Sequence, residues 1–278
     1  MSKSSGNSTT CKEDTFVLQS RRTSTNLGPA VARFPLPSEL SSLHDDVIQY
    51  SSDIQASFDE KSPLSTYVLA NVHYTAILCH RGIRTLCEEG WTSLTSVLIR
   101  TMLDHIVNCR AITADPARAN YMAFKYLAPL WMKLANDPVK VAPERKVGRE
   151  ALEKLVNRLS ATDKPDAEAF IRDNKSGAYW YFPEFQGPTD VLKFAPVLQP
   201  IYKEFSGPVH GGFSSQVLLN DHLDLQDINP RAHPQSSKQA IKAASMLLLE
   251  VGHARAVWTS LSHEEDYEKL QQRIISLK

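Results

Sequence analysis

The sequence has few cysteines, no net charge and no long apolar run. Its four cysteines show neither CxxC spacing nor a disulfide-rich pattern, so we expect reduced thiols in a cytosolic protein. The 31 basic and 31 acidic side chains balance, which excludes a global field that would draw the chain to nucleic acid or to a membrane surface. No apolar stretch reaches about 18 residues and no secretory signal is present, so we expect no membrane span and a cytoplasmic location.

Familiar catalytic and cofactor signatures are missing as well. The chain has no P-loop, no GxGxxG, no GxSxG and no zinc-finger spacing. His73 and His80 lie seven residues apart, but no HxxxH, HExxH or carboxylate pattern accompanies them, which favours core or rim histidines over metal ligands. We therefore expect no cofactor and no metal. Any active site would have to combine residues from separate helices.

Apolar residues recur every three or four positions through most of the chain, and no segment alternates as a half-buried strand does. This pattern predicts an all-α fold, with a mobile polar tail at residues 1–35 and a single multi-helix bundle domain at residues 36–278. An irregular, aromatic-rich loop is predicted at residues 174–188. A charged helix should end the chain. The other predicted helices cover residues 38–59, 62–87, 91–113, 115–136, 143–160, 165–173, 189–206 and 236–261.

The predicted helix at residues 91–113 is apolar almost all the way round, yet it carries Arg100 and Asp104 in its middle. Their spacing of four residues allows the two side chains to pair. A guanidinium among Leu, Ile, Val and Met is costly unless its donors are satisfied, so partners should converge on it from other helices. A buried ion pair that fixes helix register explains the pattern as well as a ligand or catalytic pocket does.

A second unusual stretch, IYKEFSGPVHGGFSS, places His210 next to two glycines. A histidine near neutral pH can both donate and accept a proton, and the glycines would let a substrate backbone approach. His210 is therefore a candidate acid/base, and Arg100 and Asp104 are its candidate catalytic partners. Candidate binding groups precede it in the same stretch, and these are Tyr202, Lys203 and Ser206.

Three segments, LIRTMLDHIVNCRAI, DPARANYMAFKYL and the Tyr-x3-Ser-x3-His stretch, together resemble a family of uncharacterised, mostly bacterial helical proteins. This family is a domain of unknown function, loosely similar to the HEPN-type helical nucleases, and the resemblance covers about residues 65–255. It implies an arginine followed four residues later by an acid, usually Glu, where this chain has Arg100 and Asp104. It also implies an arginine after the tyrosine, where Lys203 lacks the planar fork for a bidentate contact.

HEPN nucleases cleave RNA without a metal through an Arg-x4-6-His motif, in which the histidine shuttles a proton and the arginine steadies charge on the phosphate. Arg100 and His105 have this spacing. In an unbroken helix, however, residues five apart lie about 140° from one another and point to different faces. His105 is therefore interpreted as a core or interface histidine, and His210 is the better partner for Arg100.

Two functions remain open. The first is a non-catalytic ligand- or partner-binding module, with RNA or a small anionic ligand as candidate partner and a second copy of the chain as candidate homodimer partner. The alternative is a metal-independent, HEPN-like ribonuclease or related phosphodiester-acting enzyme, in which Arg100 clamps the anion, Asp104 orients the Arg100 side chain and His210 is the acid/base. The neutral charge favours the first, because an RNA enzyme usually carries a basic footprint.

The positions of five cations discriminate between these functions. Cations gathered at one cleft would favour the nuclease, whereas scattered cations would favour the binding module. The five are Arg84, Arg100, Arg110, Lys125 and Lys203.

Overall fold

The structure is a computed structural model that describes residues 34–54, 62–173, 198–201 and 234–277. These residues form eight α-helices and no strand, which confirms the predicted all-α fold. Residues 1–33 of the predicted tail, the aromatic loop and most of the helix predicted at 189–206 lie outside them. The helices are α1 Ser38–Asp53, α2 Leu64–Glu88, α3 Thr95–Thr113, α4 Ala119–Asn136, α5 Ala142–Asn157, α6 Lys164–Asp173, α7 Pro234–Trp258 and α8 Glu264–Ser276.

Two of the predicted helix starts differ in detail from the structure. Ser38 and Ser62 begin the predicted helices and are residue types that favour the N-cap, but the N-cap positions belong to Pro37 and Pro63, and neither helix has a side-chain cap. Both prolines hold extended backbone dihedrals from which the helix can start, and the Pro37 carbonyl accepts hydrogen bonds from two α1 amides. The helix predicted from residue 115 begins with a 3-10 turn, Pro116–Arg118, and Asp115 caps this turn because its carboxylate accepts a hydrogen bond from the amide of Ala117 at 3.0 Å. Helix α4 itself begins at Ala119, without a side-chain cap.

The long helix α7 packs against α1, α2, α3 and α8 and forms the centre of the fold. Its apolar side chains Ile241, Leu247, Leu248 and Val251 are fully buried. Helix α4 joins this group to a second one, because it contacts α2 and α3 as well as α5 and α6. None of the described helices is long and apolar enough to cross a lipid bilayer.

Helix α3 is less enclosed than its sequence suggested. Leu94, just before the helix, and Val97 in its first turns are each about half exposed. The side that contains Ile99, Met102 and Ile106 is fully buried. A helix that is apolar almost all the way round is expected inside a bundle, and this expectation is wrong for the first turns of α3. Apolar residues also occur on surfaces that no other helix covers.

Helix α5 approaches α4 so closely that a residue with a side chain would not fit at one position. A Cβ atom built on Gly148 would lie 2.6 Å from the backbone nitrogen of Ala135 and 2.9 Å from the carbonyl oxygen of Trp131. Because both atoms belong to the α4 backbone, no side-chain rotation can relieve the contact. The sequence at this point therefore sets the distance between the two helices.

Gly148→Ala is expected to destabilise the protein by about 1–3 kcal/mol, because the overpacking exceeds the gain in helix propensity of about 1 kcal/mol. Urea denaturation would measure the change. Gly82→Ala in α2 is the matched control, since its Cβ would meet only the flexible Leu98 side chain, at 3.0 Å. Equal effects of the two substitutions would contradict the close approach.

Candidate functional site

Arg100 and Asp104 form the ion pair that their spacing predicted. Nη2 of Arg100 lies 3.0 Å from Oδ1 of Asp104. The arginine side chain is 14% exposed and the aspartate side chain is 48% exposed. The guanidinium is thus largely enclosed, but its acid reaches solvent, so the pair lies at the edge of the helix packing. Its role in a site stays a prediction.

The other predicted site residues all follow residue 201. Tyr202, Lys203, Ser206 and His210 all lie outside the described residues. A pocket that combines them with Arg100 therefore stays a prediction.

His105 follows Arg100 on a helix that continues without a break to Thr113. Both ring nitrogens of His105 are buried and have no hydrogen-bond partner in the described part of the chain. Burial lowers the pKa of this histidine below its ordinary value, so the imidazole is neutral at physiological pH. These observations agree with a core histidine and not with the second half of an Arg-x4-6-His motif.

Two further histidines form a buried stack between α1 and α2. The rings of His44 and His80 lie 4.4 Å apart at an angle of 22°. Nε2 of His80 lies 3.0 Å from Oγ of Ser245 in α7, and Nη1 of Arg84 lies 3.2 Å from Nδ1 of His44. Burial lowers the pKa of both imidazoles. The pKa of His80 is lowered further, because His44 and Arg84 nearby also disfavour a positive charge on its ring.

His73 is also fully buried, at the contact between α2 and α7. Its Nδ1 lies 3.1 Å from Nη1 of Arg255. Burial, and then the charge of Arg255, lower the pKa of His73 to about 3. His73 and His80 are thus core histidines, as the sequence favoured. Within the described residues, no group of three or more His, Cys, Asp or Glu could hold a metal ion.

The cations that discriminate between the two functions lie at different helix contacts. Arg84 of α2 pairs with Asp45 of α1 at 2.7 Å and with Glu88 of its own helix at 2.8 Å. Lys125 of α4 is buried, with its ammonium 5.6 Å from the centre of the Phe170 ring of α6. Arg100 pairs within α3. The described cations are therefore scattered.

Arg110 of α3 belongs to a polar cluster that joins three helices. Its Nη2 donates to Oε2 of Glu250 in α7 at 2.9 Å, and the hydroxyl of Tyr267 in α8 donates to the other carboxylate oxygen at 2.6 Å. The Glu250 side chain is only 3% exposed, and that of Arg110 is 32% exposed. His253 stacks on Tyr267 with ring centres 4.0 Å apart. Three helices therefore meet at one buried carboxylate.

A pocket of about 590 Å³ opens beside this cluster, between the end of α3 and the last turns of α7. Arg110 and Thr113 supply its α3 wall, and Trp258 of α7 also lines it, with its indole nitrogen 3.4 Å from Oγ1 of Thr66. Its volume is within the usual range for small-molecule sites. The pocket thus combines one cation, one imidazole and an aromatic wall. Its lining residues are Arg110, Thr113, Pro116, His253, Ala254, Val257 and Trp258.

Sequence reasoning missed Glu250, although a signal for it was present. Glu250 is a lone acid in the apolar run SMLLLEVGHA, which is the same kind of pattern that singled out Arg100. Its partner Arg110 is 140 positions away in the sequence. The pairing of Arg110 with Glu250 could not be predicted without the packing of α3 against α7.

Acidification from pH 7 to pH 5 is expected to lower the free energy of unfolding. His44, His73, His80 and His105 have depressed pKa values when folded, whereas the unfolded chain binds these protons from about pH 6.5 downward. Stability is therefore lost as pH falls through that value. With its folded pKa at about 3, His73 alone should remove about 2 kcal/mol at pH 5. Urea denaturation at both pH values measures this loss, which should be smaller in His73→Gln; an unchanged loss would contradict the assignment.

Glu250→Gln is expected to destabilise the fold by about 2 kcal/mol, because it leaves the guanidinium of Arg110 without its counter-charge. The loss should stay below that of fully buried pairs, since Arg110 is about one-third exposed. Thermal or urea unfolding measures the change. Glu264→Gln, an exposed acid 3.8 Å from His253, is the control and should stay within about 0.5 kcal/mol of the original protein. A similar loss in both variants would contradict the structural role of Glu250.

Comparison with known proteins gives a family but no activity. No curated protein and no solved structure matches the chain. One family model matches residues 66–230, which is more than half of the chain and spans α2 to α6. This confirms the resemblance to a domain of unknown function, whereas the similarity to HEPN nucleases stays a prediction. The chain belongs to DUF5677, a family of unknown function.

Proposed function

We propose that the protein is a non-catalytic binding module that holds a small anionic ligand in the pocket beside Arg110. The observation that carries this proposal is the way Arg110 is held. One terminal nitrogen is fixed by the buried carboxylate of Glu250, while the other, Nη1, makes no hydrogen bond to any described residue. A fixed guanidinium with unused donors at a pocket wall is suited to an oxyanion.

The scattered cations support binding over catalysis. A nuclease needs several positive groups along a shared path for the nucleic-acid backbone. Arg84 and Arg110 instead pair with acids of other helices, and Lys125 lies against aromatic rings. Each of these cations contributes to a separate helix contact. One pocket with one anchored arginine is better suited to a compact anion than to a polymer.

The pocket walls indicate the kind of anion. Trp258 and Val257 offer apolar surface, and His253 and Thr113 offer polar groups close to Arg110. A carboxylate or phosphate attached to a flat or apolar body would place its charge at Arg110 and its body against the indole. The ligand class is therefore a small organic acid or phosphate ester.

Val257→Asp is expected to weaken anion binding at least fivefold, because it adds a negative charge at the pocket without disturbing the core. Val257 is 63% exposed, so the variant should fold normally. Intrinsic tryptophan fluorescence, to which Trp258 contributes, would follow titrations with benzoate, phenyl phosphate and inorganic phosphate. Benzyl alcohol tests whether the negative charge is required.

Val147→Asp in α5 is the matched control, since Val147 is 52% exposed and lies away from the pocket. It should leave the affinity unchanged. If no anion binds saturably, or if both aspartate variants weaken binding equally, Arg110 does not mark an anion site. Trp258→Phe would identify the part of the fluorescence signal that arises in the pocket.

The alternative function, metal-independent RNA cleavage, depends on Arg100. The observation in its favour is a largely enclosed guanidinium beside a half-exposed acid. A nuclease would cleave mixed RNA in the presence of EDTA and lose that activity in both Arg100→Ala and His210→Ala. Under the binding proposal, neither the original protein nor these variants cleaves RNA. His210→Ala that folds and still cleaves would exclude His210 as the acid/base.

A further inference from the structure

A second pocket, of about 370 Å³, lies between the first half of α7 and the end of α8. It shares no lining residue with the pocket beside Arg110, and its volume is also within the usual range for small-molecule sites. Its walls are mostly apolar, and none of the described residues that line it is acidic or aromatic. A flat ligand would find no ring to stack on, and the positive charges of the lining face no acid within it.

The apolar wall of this second pocket belongs to the packed core. Met246 of α7 and Ile274 of α8 are only 5% and 2% exposed, and both line the pocket. Ile275 lines it as well but is 55% exposed, so the pocket extends from the core to the surface. Burial of apolar ligand surface against these side chains is favourable, because it removes both from water. The wall is therefore suited to an alkyl chain, and the unbranched Met246 side chain can adapt to its shape.

Two lysines of α7, Lys238 and Lys242, also line the pocket. They lie four residues apart on one side of the helix, a spacing at which like charges repel one another. Neither lysine forms an ion pair with any described residue. The ammonium of Lys242 donates to the carbonyl of Leu277, which lines the pocket too, so its charge is held at the pocket. A carbonyl accepts only one of the three ammonium donors and does not neutralise the charge.

We infer that this pocket binds a medium-chain fatty acid, with the carboxylate at Lys238 and Lys242 and the alkyl chain against the apolar wall. A carboxylate beside the two ammonium groups offsets their repulsion, and its oxygens accept the donors that the Leu277 contact leaves. The part of α7 that lines the pocket runs from Gln235 to Met246, a rise of about 16 Å, which gives room for an extended chain. A compact anion such as phosphate fits less well, because it would leave the apolar wall in water.

Isothermal titration calorimetry with octanoate, at about 0.15 M salt, tests this inference on the full chain. Saturable binding is expected. Lys238→Glu should weaken it by about fivefold or more, because the new carboxylate repels octanoate and pairs with Lys242. The same pairing replaces a repulsion on α7, so the variant should fold normally. Ile275→Asp should also weaken binding, since it places a charge beside the alkyl chain at an exposed position.

Matched controls make the result specific to this pocket. Lys146→Glu in α5 reverses the charge of an exposed lysine outside the lining and should leave the octanoate affinity unchanged. Val257→Asp should also leave it unchanged, because Val257 lines only the pocket beside Arg110. This variant separates the fatty-acid site from the anion site proposed above. 1-Octanol lacks the charge and acetate lacks the chain, so both should bind more weakly than octanoate.

Four outcomes of the titrations overturn the inference. These are octanoate that does not saturate, octanol or acetate that binds as tightly, Lys238→Glu that binds like the original protein, and a loss in Val257→Asp or Lys146→Glu that equals the loss in Lys238→Glu. Size-exclusion chromatography supplies a fifth. A dimer that Ile275→Asp dissociates would mean that a second copy of the chain covers the apolar wall, which also overturns the inference.

Discussion

The carboxylate of Glu250 has to be neutralised inside the protein, and the arrangement of three helices depends on this requirement. Glu250 lies on the central helix α7, and its counter-charge comes from Arg110 of α3. Its second carboxylate oxygen accepts a hydrogen bond from the hydroxyl of Tyr267 in α8. A buried carboxylate without such partners would cost several kcal/mol. The pair therefore fixes the rotation of α7 relative to its neighbours, and it also fixes Arg110 at the pocket wall.

The polar groups on the same helix add directional contacts to an apolar interface. The hydroxyl of Ser245 contacts the ring of His80 in α2. Arg255 contacts His73, which lies two turns before His80 on the same helix. Apolar contacts alone tolerate sliding and rotation of packed helices, whereas hydrogen bonds between buried groups favour one register. The histidines in these contacts are neutral because burial disfavours the imidazolium. The burial of these neutral histidines also makes the helix packing sensitive to acid, because the unfolded chain binds protons that the folded protein does not.

Part of the fold and one contact of the candidate site could be predicted from the sequence. The 3.6-residue periodicity gave the all-α class, and the spacing of Arg100 and Asp104 gave their ion pair, because both depend on neighbours within one helix. The half exposure of Asp104 could not be predicted, since it depends on which helices surround α3. The meeting of Arg110 with Glu250 depends on the register of two helices far apart in the chain. Local spacing carries no information about that register.

Gly252 shows how little space α1 and α2 leave for α7. A Cβ atom there would lie 3.2 Å from the Tyr50 ring, 3.4 Å from Ile54 and 3.5 Å from Nε2 of His73. Helix α7 thus fits between α1 and α2 because it has no side chain at this point. The helix nevertheless lies outside the segment that the family model matches, which ends at residue 230. A fragment that ended at residue 230 would leave the apolar sides of α2 and α3 open to water and prone to self-association. Relatives that share only the matched segment would need another element to occupy that groove.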